Sequence, residues 1–64
     1  MMNLKELVFF RAKAELDAYT HMNMSSIYTE AEVDAQRDRF CAVWQIIEEA
    51  GLEDEYQTWK EAQQ

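Results

Sequence analysis

Apolar and polar residues recur along this chain at intervals of three and four, the period of an amphipathic helix, in three separate stretches. In the first, Leu4, Leu7, Val8, Ala14, Ala18, Tyr19 and Met22 fall on one broad side of a helix predicted over about 3–23. Asn3 stands as its N-cap with Glu6 three residues on, and Met2 and Leu7 occupy the positions of a hydrophobic staple. Arg11 and Glu15 interrupt this stripe, while Phe9 and Leu16 form a second apolar line on the far side. A helix apolar on two sides needs two neighbours.

The second stretch predicts a helix over about 30–50. Thr29 and Glu32 carry the capping-box spacing at its start, with Tyr28 and Val33 in the staple positions. Gly51, the chain's single glycine, followed by Leu52, reads as a Schellman stop with Leu52 packing back on Ile47. Between these limits Val33, Gln36, Phe40, Val43, Ile47 and Ala50 make a heptad seam broken only by Gln36, with Trp44 widening it. The third stretch predicts a short helix over about 54–62. Glu53, Asp54 and Glu55 suit its N-terminal dipole, and Tyr56 and Trp59 share a face that is expected to cover the Phe9 and Leu16 line. A connector of about five residues forces the first two helices antiparallel.

The fold expected is therefore all-α: an antiparallel helical hairpin with a short C-terminal helix, in one domain over 1–64. Composition agrees, since 64 residues with no proline and one glycine lack the turn chemistry a sheet requires. A core this small supplies only about 3–5 kcal/mol, and small folds add disulfides, a metal or a second copy. Only the second copy is available here, so a homodimer resembling a four-helix bundle is expected. Arg11, Glu15, Gln36, Phe40, Val43 and Ile47 would form its interface or fix its register, as buried polar residues do in coiled coils. Two arrangements of Arg11 and Glu15 are open: a buried specificity pair, or an arginine that snorkels to the rim with the glutamate following it.

Charge adds a regional feature. Thirteen acidic and six basic residues give a net charge of −7, and residues 1–28 are balanced at three of each sign, so the whole excess lies beyond residue 28. Glu48, Glu49, Glu53, Asp54 and Glu55 place five carboxylates in eight residues around Gly51. Glu48 and Glu49 sit where the helix dipole opposes them by about 0.3–1 kcal/mol each. With Tyr56 and Trp59 they form the candidate partner-binding surface, for a protein partner of basic character; a solvated, solubilising turn is the plainer reading. The same acidity opposes direct binding to nucleic acid phosphates or an anionic membrane.

Few groups are left for chemistry. Cys41 has no partner for an internal disulfide, fits a reducing cytoplasm, and reads as a small packing residue at the seam's margin. The apolar run Leu7 to Phe10 is too short for a leader or a membrane span. His21 is the only histidine, and Ala18 stands where a di-metal helix carries glutamate. No catalytic, cofactor-binding or metal-ligating residue is expected.

The function expected is that of a non-enzymatic, acidic interaction protein, an adaptor, inhibitor or regulator of the kind that phages and mobile elements often encode. The alternative is a nucleic-acid-linked regulator, either a DNA mimic that occupies a basic partner or an RNA-binding dimer. In length and hairpin topology the chain resembles the plasmid copy-number Rop proteins. That resemblance implies dimerisation and RNA binding.

Overall fold

The structure, a computed structural model, describes residues 2–63; Met1 and Gln64 lie outside the described residues. Three helices follow one another: α1 over Leu4–Met24, α2 over Glu30–Glu49 and α3 over Glu53–Ala62. Each end falls within one residue of the sequence-based expectation, because local hydrogen bonds fix it. Asn3 Oδ1 accepts from the Glu6 N–H at 2.8 Å. The Glu6 carboxylate answers through the Asn3 side-chain amide at 3.3 Å, so the reciprocal contact is made between side chains. At α2 the capping box is complete: the Glu32 N–H donates to Thr29 Oγ1 at 3.2 Å and the Thr29 N–H to Glu32 Oε1 at 3.1 Å. These bonds from the Thr29 backbone and hydroxyl hold the Glu32 carboxyl below the usual carboxylate range.

The stop after α2 is a Schellman motif. Gly51 adopts φ 68°, its N–H donates to the Glu48 carbonyl at 3.1 Å, and the Leu52 N–H reaches the Ile47 carbonyl at 3.0 Å. Leu52 packs against the core cluster that contains Ile47, as the sequence led one to expect. This turn redirects the chain so that α3 returns across the hairpin.

α1 and α2 run antiparallel. Leu4 and Val8 share a groove with Ala50 and Ile47, Glu15 meets Gln36, and the His21 ring lies 6.3 Å from that of Tyr28. α3 then seats its aromatic face on the hairpin. The Tyr56 ring lies 5.5 Å from Phe9 and 5.5 Å from Trp44, and Trp59 lies 5.7 Å from Phe9 and 4.7 Å from Phe10. Edge-on and tilted geometries of this kind favour aromatic pairs beyond their area alone. Of the Phe9 and Leu16 line that α3 was expected to cover, Phe9 meets both aromatic residues of α3.

Among the described residues, four apolar side chains are withdrawn from water: Phe9, Ala12, Ile47 and Tyr56. This corrects the sequence reading of α1. The core runs through Phe9 and Ala12, whereas Leu4 and Leu7, members of the predicted stripe, remain 76% and 56% exposed. Burying one phenyl ring removes more apolar surface than burying a leucine, and Ala12 lets the neighbouring helices approach closely. A second correction concerns α2. Ile47 is fully buried and Val43 packs on the same cluster inside a single hairpin, so these seam residues are not a free dimer surface. Phe40, half-buried, lies 6.0 Å from Trp44 in a stacked arrangement. Cys41 is exposed on α2 and does not pack.

Candidate functional site

The break in the α2 seam is satisfied from α1. Gln36, 7% exposed, donates through Nε2 to Glu15 Oε2 at 2.8 Å and to the Glu15 backbone carbonyl at 3.0 Å. Arg11 Nε holds the other carboxylate oxygen, Oε1, at 3.2 Å. The two side chains behave differently: Glu15 keeps 12% of its side-chain exposure, while Arg11 keeps 67%. Arginine snorkels out and glutamate stays in, so each sequence-based arrangement describes one member of the pair. Within one chain, this contact sets the register of α1 against α2, because sliding either helix would strand a half-buried carboxylate.

The acidic turn is open to solvent. Glu48, Glu49, Glu53, Asp54 and Glu55 are all exposed, and among the described residues only Glu55 is in an ion pair. Its partner is Lys5, whose Nζ lies 2.7 Å from Glu55 Oε2 and bridges the starts of α1 and α3. The hydrogen bond and charge of Glu55 raise the Lys5 pKa above its ordinary value. Glu49 otherwise meets only the Gln45 amide, at 3.5 Å.

Beside this bridge lies a cleft of about 480 Å³ between α1 and α3. Phe9 and Trp59 line it together with Lys5, Glu6, Asp54, Glu55 and Thr58. Trp59 is half-buried and therefore still presents part of its indole. An aromatic surface next to several carboxylates attracts a cationic side chain on two counts, by the ring quadrupole and by charge.

Of the residues that the sequence marks for partner binding, Asp54, Glu55 and Trp59 come together at this cleft, and Glu48, Glu49 and Glu53 surround the neighbouring turn. Tyr56 does not join them: at 1% exposure it belongs to the core, and a ring held there cannot anchor a partner. Its hydroxyl is buried without a hydrogen-bond partner. Burial pushes the phenol pKa up, the Asp17 carboxylate adds to the rise, and Lys13 opposes it. Lys13 and Asp17 are occupied with each other at 2.8 Å.

Lys5, Glu6, Phe9 and Thr58 were not marked by the sequence reading. Lys5 and Glu55 stand fifty positions apart, and no local pattern pairs them. The one usable signal was the second apolar line of α1, which pointed to α3 as its cover.

No cluster of three or more histidine, cysteine, aspartate or glutamate residues arranged to hold a metal ion occurs among the described residues. No helix of the described residues is long and apolar enough to cross a membrane. Comparison with protein-family models, with curated proteins and with solved structures finds no match.

Proposed function

We propose that this chain is a non-enzymatic interaction protein, and that it takes a basic segment of a protein partner into the α1–α3 cleft and against the acidic turn. The observation that carries this reading is the half-buried Trp59 beside the carboxylates of Glu6, Asp54 and Glu55. A partially exposed aromatic residue with a charged rim is the composition of an interaction hot spot. The carboxylates of Glu48, Glu49, Glu53 and Asp54, which have no ion-pair partner among the described residues, would steer a cationic partner toward it.

The protein would act as a homodimer. Its core has few fully buried side chains, and a second copy is the staple its composition allows. The RNA-binding alternative needs clustered free cations, whereas Lys5, Arg11, Lys13 and Arg37 are each held in an ion pair.

Titration with an arginine-rich helical peptide, read by tryptophan fluorescence and calorimetry, tests the partner site. Binding should weaken at least tenfold in Trp59→Ala and also in the pair Asp54→Asn with Glu55→Gln. Loss only in the charge variants favours a DNA-mimic mode, and no binding at low salt removes the proposal.

A further inference from the structure

The two sides of the α1–α2 hairpin are not treated alike. α3 covers the side where Phe9, Phe10 and Trp44 emerge, and no further element among the described residues covers the other. On that open side Leu4, Val8, Ile46, Ala50 and Leu52 line an apolar groove of about 220 Å³, floored by the buried Ile47 and with Lys5 at its edge, and Leu4 and Ile46 are 76% and 54% exposed. Further along the same side a second hollow is lined by Met22, Glu32, Ala35, Gln36 and Arg39.

We infer that this open side of the hairpin is the surface on which a second copy of the chain docks, completing a four-helix arrangement with α3 of each copy on the outside. The inference rests on the dimeric part of the proposed function and names its face. Three observations select a second copy as the occupant.

The first is area. The chain exposes 4797 Å², whereas a monomeric protein of its 7.6 kDa mass exposes about 4300 Å². The excess, about 500 Å², is more than half of the roughly 800 Å² that each partner buries in a standard interface. Two helices of 21 and 20 residues side by side offer a face about 30 Å long and 20 Å wide, large enough for the rest.

The second is charge. In a molecule of net charge −7, a second copy is repelled from most of the surface. The helical period places Arg11, Glu15, Glu32 and Arg39 on the open side, with Lys5 at the groove's edge and Glu49 on the line of Ala42, three of each sign, so this face is neutral. Arg39 has no ion-pair partner among the described residues, which leaves it available to a carboxylate of the other copy. The third is shape: Ala14, Ala18, Ala35 and Ala42, all on or beside this face, permit close approach of two helix pairs.

Sedimentation equilibrium of the full chain tests the inference, with circular dichroism to confirm that each variant folds. The native chain should sediment at twice its 7.6 kDa mass. Ile46→Glu and Leu4→Glu change residues already exposed in one copy, so helix content should hold while dimerisation weakens about a hundredfold or more. Gln45→Glu adds the same charge on the outward side of α2 and should leave the dimer intact. A native chain that is monomeric at millimolar concentration overturns both the inference and the dimeric reading. A dimer insensitive to Ile46→Glu and Leu4→Glu, or equally sensitive to Gln45→Glu, overturns the face and leaves the dimeric reading standing.

Discussion

The side of α1 that faces α3 and the side that faces away are both apolar, yet only one became core. The covered side carries Phe9, which touches Tyr56 and Trp59. The other carries Leu4, Leu7 and small alanines, and both leucines are more than half exposed. By a count of apolar residues the second side looks stronger. What decided was the size of the individual side chains and what faces them: two aromatic residues one turn apart on α3 need an aromatic counterpart, and Phe9 supplies it. Number of apolar positions is a poor guide to the core when one position holds a ring.

The sharpest contrast between the two sides comes from parallel truncation. Phe9→Ala should cost about 3–5 kcal/mol, most of what a core of this size provides, so cooperative thermal unfolding should be lost. Leu7→Ala on the exposed side should shift the melt little, by less than about 1 kcal/mol. Equal effects from the two, read by circular dichroism, would erase the distinction between covered and open sides.

A smaller effect belongs to the contact between α1 and α2 that lies between these sides. Gln36→Leu removes both bonds to Glu15 and should cost about 1–3 kcal/mol, because the half-buried carboxylate loses its neutral donor. Adding Glu15→Leu removes the stranded charge and should restore stability to the native level or above. A double variant no more stable than Gln36→Leu alone would show that the pair contributes more than register.

The smallest effect is at the deepest point of the covered side. The Tyr56 hydroxyl has no partner, so Tyr56→Phe should lie within about 1 kcal/mol of the native chain or exceed it. Its pH dependence is more telling. Because burial raises the folded-state pKa above the ordinary 10.0, the neutral phenol contributes stability below that value, and the contribution disappears as pH rises through the raised pKa. Alkaline melts of Tyr56→Phe should therefore be flatter than those of the native chain. An unchanged alkaline limb would mean that this hydroxyl is already hydrated.

The helices were legible because their ends are local. Asn3, Thr29, Glu32 and Gly51 each act on backbone groups within a turn, and the same short-range bonds appear in the structure. Tyr56 carried two readings, cover for the Phe9 line and anchor for a partner; the first is in place and excludes the second, because a ring packed on Phe9 at 1% exposure leaves no surface to a partner. Trp59, three residues on and on the same face, is half-buried at a cleft edge, so a small rotation separates core from candidate site.

By itself, then, the sequence determined the class, the three helices with their limits, the hairpin connection and the regional acidity. Each of these follows from residue type or from hydrogen bonds spanning a few positions. Tertiary structure alone decided which apolar line of α1 is buried, that Gln36 answers Glu15, that Lys5 closes on Glu55, and that an apolar groove lies open between α1 and α2. Those outcomes depend on how three helices share a very small interior, where a single ring occupies the space of several smaller side chains and displaces them to the surface.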